Sequence, residues 1–433
     1  MTGRLALDGG RPAVSSRSRE RWRSVRLRSV ASIAAHAWRD VTTVAAGEGP
    51  VAEFEEAFAR RCDRRHGLVM NSGTATLHSA YFAAGVGPGD EVIVPSYTFF
   101  ASAAPILQCG GTPVFCDVDE RTLTADPDDA ERRITPRTRA ICVVHLWGNP
   151  APMDRFAALA RRHGLALIED CSHAHGATFD GRPVGSWGDV GCFSLQGQKA
   201  VSGGEAGIAV CDDPVLFDRM LVLGHYGRLK KGQAADTFDT DHLALGLKYR
   251  AHLYAVLLAQ GSLARLDELN RRRRRNYELL ARELEGCAAL TPVPTTPGAV
   301  RGGFLEFILR YDPGHAGGWS AKRFVKAAKA EGVPVSEERY AAIGKARRAL
   351  HASPIFTTLD VSELGGALGA TRDGREPPHL PVTESLAGRL LTLPPFTKVP
   401  ERYVRECARA LRKVADHAAA TARDDVREAV IAP

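Results

Sequence analysis

The sequence has little that would tie it to a membrane, an oxidising compartment or a metal. Its 433 residues contain no apolar run near the roughly 18–20 residues that cross a bilayer. The opening MTGRLALDGG lacks a basic segment followed by an apolar core, so no secretory signal is expected and the chain reads as cytoplasmic. Nine cysteines lie scattered at positions 62, 109, 116, 142, 171, 192, 211, 287 and 407, and none form a CxxC pair. An odd, dispersed set argues against a disulfide framework and predicts reduced thiols. The grouping of Cys171, His173, His175 and Cys192 has no tetrahedral ligand spacing, so no metal is expected there. No internal repeat is present. The one dense basic run, Arg271 to Arg275, has no interleaved aromatics. It is expected to be the solvated face of a helix, not a nucleic-acid platform.

What is present describes an ordinary globular chain, 44% hydrophobic and 25% charged, long enough for two domains. A net charge of +7 suits anionic small molecules as well as nucleic acid. The Arg-rich, acid-poor segment RSRERWRSVRLRSV has the composition of a transit peptide, but is expected to be an exposed arm or a subunit contact. From about residue 50, helical and strand patterns alternate. In VAEFEEAFARRC, Val51, Phe54, Ala57 and Phe58 share one helical face. EVIVPSYTFF, TPVFCDVD, RAICVVHLWG and LALIED read as strands, and MDRFAALARRHG as a helix stopped by Gly164. Short apolar strands between helices predict an α/β fold with a mostly parallel central sheet covered by helices. Near residue 265 the texture changes to a long charged helix, about Ser262 to Glu285. An alternating strand FLEFILRYD, a helix SAKRFVKAAKAEGV, a Gly/Pro-rich loop and a closing helix follow. The expected division is a large domain over 1–265, including the N-terminal arm, and a smaller α+β domain over 266–433.

Ligands in open α/β sheets bind beyond the carboxyl ends of strands, and three features fall at such ends. NSGTAT, Asn71 to Thr76, opens a helix with small residues whose backbone amides are free to hold a phosphate; it also reads as a plain N-cap. Asp170 ends the buried strand LALIED, where it is either a turn aspartate or a carboxylate facing a cationic ring nitrogen. FSLQGQKAVSGGEAG places Lys199 among small and apolar residues. The Walker pattern requires Gly immediately before Lys and a hydroxyl after it, and Gln198 and Ala200 supply neither. A lysine in such surroundings has a lowered pKa and is a candidate imine-forming amine. A phosphate cradle, an acid for a pyridine nitrogen and a lysine for an aldehyde together fit pyridoxal 5'-phosphate. PSYTFF adds a candidate ring-stacking aromatic, Phe99, unless that side chain is simply core.

These stretches resemble the DegT/StrS family of pyridoxal-phosphate sugar and cyclitol aminotransferases, which have the fold type I architecture. The likeness covers roughly residues 45 to 420. It is carried by VPSYTFFASAAPILQCGGTPVFCDVD, VVHLWGNPAPMDRFAALARRHGLALIEDCSHAHGA, FSLQGQKAVSGGEAGIAV, LGLKYRAHLYAVLLAQGSLARLDELNRRR and LPVTESLAGRLLTLPPF. The resemblance implies that Lys199 bonds the cofactor's aldehyde and that Asp170 pairs with its pyridine nitrogen. His173 would lie near the ring hydroxyl and Phe99 on the ring face. Ser194, with Ser72, Gly73 and Thr74, would bind the phosphate. Lys248, in GLKYR, would reach the phosphate of a neighbouring subunit, which implies a homodimer with shared active sites. His225, Tyr226 and Arg228, in GHYGR, are either substrate contacts or a structural loop. The resemblance further implies L-glutamate or L-glutamine as donor and a keto-sugar or keto-cyclitol as acceptor, in antibiotic, other secondary-metabolite or surface-sugar biosynthesis. The leader LALDGGRPA resembles the cyclitol branch.

Three departures stand out. Gly204-Glu205-Ala206-Gly207 replaces the family's Gly-Glu-Gly-Gly. YRAHLY lacks the Asp common after YR. LGHYGRLKKGQAADTFDTDHL differs from the forms expected for simple nucleotide sugars. Dehydratase-type chemistry is disfavoured, because that branch replaces the lysine with His. A regulator or a binding module for anionic metabolites remains the non-enzymatic alternative.

Overall fold

The computed structural model describes residues 4–14, 46–229, 246–344, 347–358 and 376–431, with side chains of the last helix as far as Thr421. The Arg-rich segment at 17–30, part of the stretch after residue 229 and much of the Gly/Pro-rich stretch after residue 358 lie outside the described residues.

Helix α1 (Pro50–Arg61) leads into β1 (His66–Met70) and α2 (Gly73–Ala83). Strands β2 (Glu91–Pro95), β3 (Thr112–Cys116) and β4 (Thr138–Val144) follow, then α3 (Met153–His163) and β5 (Ala166–Asp170). Strands β6 (Val190–Ser194) and β7 (Gly207–Cys211) complete a seven-stranded sheet in the order β1-β7-β6-β5-β4-β2-β3. Strands β3, β2, β4, β5 and β6 run parallel, and β7 pairs antiparallel with both β6 and β1. The inner strands are buried along nearly their whole length, as a sheet covered on both faces requires. Helix α3 ends at Gly164, whose φ of 63° is the left-handed conformation of a helix-terminating glycine.

Helices α4 (Pro214–Gly224), α5 (Leu253–Leu263) and α6 (Leu266–Glu283) come next. The single charged helix expected from 262 to 285 is therefore two helices, separated at Ala264 and Arg265. A second sheet, in the order β8-β9-β11-β10, is built from β8 (Leu290–Pro292), β9 (Phe307–Tyr311), β10 (Ser336–Glu337) and β11 (Leu390–Leu393). Helices α7 (Ala321–Ala330) and α8 (Glu401–Ile431) pack on it with α6. Leu5 and Val14 belong to this second core although they precede the large sheet in the chain. Glu331 holds them there, accepting from the Ala6 amide at 2.7 Å, the Ala13 amide at 2.8 Å and Lys413 Nζ at 2.9 Å.

The five-arginine run is not a uniformly solvated face. Arg273 is buried, its Nε donating to Thr397 Oγ1 at 2.8 Å and its Nη1 to the Gly303 carbonyl. The helical period turns this one residue of the run inward, where carbonyl and hydroxyl oxygens compensate its charge. All nine cysteines are free thiols, seven of them buried. Among the described residues no helix is long and apolar enough to cross a membrane.

Candidate active site

Sheet register brings the first and third sequence features together. Met70 of β1 and Ser194 of β6 both stand opposite Gly207 of β7, so the turn after β1 and the end of β6 share one edge of the sheet. Ser72 caps α2, its Oγ accepting from the Ala75 amide at 3.1 Å. The amides of Gly73 and Thr74, at the first two helical positions, have no partner within the helix. A Cβ on Gly73 would come within 2.7 Å of Ser194 Cβ, so glycine is what lets the helix start beside that hydroxyl. A Cβ on Gly207 would meet the Ser72 carbonyl at 2.3 Å. The methyl of Ala206, in place of a family glycine, is buried in the core. The result is a small-residue cradle of open amides and one serine hydroxyl, positively polarised by the helix dipole.

Asp170 ends β5 and is buried. Its Oδ2 accepts from Ser102 Oγ at 2.8 Å and its Oδ1 from the Ser172 amide at 3.0 Å. Ser102 Oγ in turn lies 2.9 Å from Thr98 Oγ1. Lys199 sits in the loop between β6 and β7. Burial lowers its amine to about 8, Asp170 pulls it back up, and Arg339 pushes it down. Its Nζ donates no hydrogen bond to a described residue.

His173 is buried, and burial holds its pKa well below the ordinary value, with Lys199 and Arg339 adding to the effect. Its Nδ1 accepts from the Trp147 amide at 3.3 Å, so the neutral ring carries its proton on Nε2, free to donate. Trp147 adopts a left-handed φ of 56°, a strained conformation for a bulky residue. Its indole stacks on Tyr340 with centroids 4.9 Å apart and lies 5.4 Å from the His173 ring. Phe99 is 43% exposed, with its ring 5.8 Å from Tyr340, so it is an available aromatic face and not core.

The remaining expected residues are placed elsewhere. Lys248 is exposed, just before Tyr249, whose carbonyl accepts from the Asn71 amide at 2.6 Å. His225 is buried against β1, its Nε2 3.0 Å from the Val69 carbonyl, and burial lowers its pKa to about 4. Arg228 donates through both terminal nitrogens to Glu55 of α1, each at 2.8 Å. Tyr226 is half-buried in the short turn between them. The ring and the guanidinium are thus engaged in holding α1 and β1 together. Glu55 interrupts the apolar face of α1 for the same reason: it is buried and also accepts from the Val69 amide at 2.9 Å.

His145, Glu169 and Cys171 cluster closely enough to hold a cation. The lone pairs of the carboxylate and the imidazole are already committed, and Cys171 Sγ donates to the Glu169 carbonyl at 3.7 Å. Glu169 accepts from the amides of Gly185, Trp187 and Gly188, each at 2.7 Å, and lies 3.1 Å from His145 Nε2. His145 Nδ1 accepts from the Ala151 amide at 3.1 Å. This is a saturated-carboxylate network.

Four residues that sequence patterns do not single out complete the surroundings: Ser102, Trp147, Arg339 and Tyr340. Ser102 and Trp147 lie within stretches that carry the family likeness. Arg339 and Tyr340 come from a turn far along the chain and gave no sequence signal.

The model of the DegT/DnrJ/EryC1/StrS aminotransferase family matches residues 35–361. The chain belongs to that family. It is 36% identical over 386 residues to L-glutamine:2-deoxy-scyllo-inosose aminotransferase of Streptomyces kanamyceticus, covering 86% of this chain and 88% of that one. It is 41% identical over 230 residues to GDP-perosamine synthase of Caulobacter vibrioides, covering 53% and 60%. Among solved structures, DesI in the presence of its TDP-sugar product aligns with a TM-score of 0.74 at 29% identity, covering 98% of each chain. 3-Amino-5-hydroxybenzoic acid synthase aligns with a TM-score of 0.76 at 25% identity, covering 92% and 98%. This aminotransferase therefore shares the fold type I architecture of its neighbours.

Proposed function

We propose that this aminotransferase uses pyridoxal 5'-phosphate to move an amino group from L-glutamine or L-glutamate to the ketone of a keto-cyclitol. The observation that carries the reading is the meeting of a pKa-lowered amine, a buried carboxylate and an open amide cradle at adjoining strand ends. The match to glutamine-dependent scyllo-inosose aminotransferases over most of the chain supports the donor and acceptor. A nucleotide-linked keto-sugar is the second acceptor class, supported by the likeness to GDP-perosamine synthase and DesI.

The residues present fit the cofactor. Gly73 and Thr74 amides and Ser194 Oγ would hold its phosphate, with Ser72 fixing the turn as N-cap. Asp170, oriented by Ser102 and Ser172, would keep a proton on the ring nitrogen. His173 would donate from Nε2 toward the ring hydroxyl, and Phe99 would cover a face of the ring. When bound, the cofactor supplies an aldehyde that takes up amines and a ring that accepts the electron pair released at the donor's α-carbon. Lys199 would take the α-proton of the donor and, in the second half of the exchange, would supply a proton to the carbon that was the acceptor's ketone. An amine near 8 is partly neutral at physiological pH and can act as that base.

The same reading includes a homodimer, with Lys248 reaching the phosphate site of the second copy. The exposed pair Phe99 and Phe100, exposed Leu247, and α5, apolar on nearly every side with Leu258 only half-buried, support such a contact. It also includes a cytoplasmic location and a large and a small domain meeting near residue 265. The deciding experiment is the visible spectrum of the purified protein before and after L-glutamine, beside Lys199→Ala. A band that bleaches with donor, and is lost or altered in the variant, is expected. A protein that takes up no pyridoxal 5'-phosphate overturns the reading.

A further inference from the structure

The turn after β10 brings a second charged pair to the site. Glu338 staples this turn, its Oε1 accepting from the Tyr340 amide at 2.7 Å and its Oε2 from the Ala341 amide at 2.8 Å. Between those contacts the chain projects Arg339. Its guanidinium lies 5.0 Å from the Tyr340 ring centroid and 5.6 Å from that of Trp147. Those rings are the ones that flank His173 and Phe99. Arg339 and Glu306 are both near enough to Lys199 to bias its amine, in opposite directions.

The pair is incompletely satisfied. Arg339 Nη1 donates to Glu306 Oε1 at 2.8 Å, a single-point contact where a bidentate fork is possible. Glu306 Oε2 is buried with no hydrogen-bond partner. Arg339 keeps 45% of its side chain exposed, Glu306 22%. A guanidinium and a carboxylate that share one bond, and stand beside a reactive amine, have capacity left for a ligand. Compare Arg228 and Glu55, which close both bonds and have none to spare.

We infer that Arg339 and Glu306 form a two-way recognition element, in which Arg339 receives the α-carboxylate of the amino donor and Glu306 accepts from hydroxyls of the neutral polyol acceptor. The inference rests on the reaction proposed above. One pocket has to admit an anionic-headed amino acid and then an uncharged, hydroxyl-rich ring. A bare cation would suit the first and be left uncompensated with the second. Glu306 neutralises Arg339 whenever no donor carboxylate is present, and its second oxygen then finds a hydroxyl. The aromatic rings hold the guanidinium in place while its anionic partner changes.

The test compares the holoenzyme with Arg339→Gln and Glu306→Gln. Calorimetric titration with glutaramate, which is glutamine without its amino group, reads carboxylate binding with no turnover. Mixing the donor-reduced enzyme with scyllo-inosose reads the acceptor side. Arg339→Gln is expected to weaken glutaramate by about tenfold or more while the half-saturating acceptor concentration moves by less than about threefold. Glu306→Gln is expected to do the reverse, weakening the acceptor by about tenfold and leaving glutaramate unchanged or tighter. Equal losses on both sides in both variants, or no loss in either, would overturn the inference. Arg339→Lys, which keeps the charge and loses the fork, is expected to fall between wild type and Arg339→Gln and guards against a folding defect. A wild-type holoenzyme that binds glutaramate but never exchanges an amino group would overturn the proposed reaction and leave the carboxylate arm standing.

Discussion

Glu169 and Asp170 are consecutive, both acidic and both buried, yet the two sides of β5 treat them differently. Successive strand residues point to opposite faces. On one face Glu169 is surrounded by three backbone amides and the His145 ring. Burial alone would raise its pKa, but these donors bring it below the ordinary value. On the other face Asp170 receives one hydroxyl and one amide and stands near Lys199. A carboxylate with all its lone pairs filled is a structural strut. One with capacity left, beside a lysine, is available for chemistry. The same contrast separates Arg228, which closes two bonds to Glu55, from Arg339, which shares one with Glu306.

Substituting each carboxylate in turn has the largest expected effect. Asp170→Asn is expected to lower transamination on the order of 10²- to 10⁴-fold with thermal unfolding little changed, since only proton handling is lost. Glu169→Ala is expected to destabilise the fold by about 3–5 kcal/mol, because it strands buried donors. Denaturant unfolding and single-turnover assays on the same samples check both. A stable but inactive Glu169 variant would erase the distinction.

The next largest effect concerns Arg228. Its removal leaves Glu55 in a site where burial already raises the carboxyl pKa. Arg228→Ala is expected to cost about 3 kcal/mol of stability while acceptor preference per folded molecule stays the same. A variant with normal stability and altered acceptor preference would return GHYGR to the substrate site.

The smallest expected effect lies at the lysine. The folded Lys199 amine titrates near 8, against an ordinary 10.5. Below pH 8 both folded and unfolded chains carry the proton, so the penalty for burying the charge is fully present. Between 8 and 10.5 the unfolded chain binds more protons and stability rises with pH. Lys199→Met is therefore expected to stabilise the cofactor-free protein by about 2–3 kcal/mol at pH 7. The gain should fade as pH rises from 8 to 10.5, as urea unfolding at pH 7 and pH 10 would show.

Much of this was legible in the residues, for local reasons. Asp170 follows four residues of one strand, Gly164 follows a helical period, and NSGTAT carries its own cap; each signal lies within a few positions. Lys199 was legible because its immediate neighbours are small and apolar. GHYGR was not, because the partners that occupy His225 and Arg228 are Val69 and Glu55, over 150 positions earlier in the chain. Arg273 illustrates the same limit: the charge run reads as solvated until the oxygens of Gly303 and Thr397 are placed beside it.

The alternation of helices and strands, the family, and a lysine, an acid and a small-residue turn at strand ends could all be read from the order of residues. These depend on backbone preference and near neighbours, which the chain carries wherever it folds. Tertiary structure decided which charged groups have bonding capacity to spare. Sheet register set Met70, Gly207 and Ser194 in one row, and the turn after β10 brought Arg339 toward Lys199. Hydrogen-bond saturation and burial are properties of what surrounds a side chain, and for His225 and Arg228 those surroundings come from residues more than a hundred positions away.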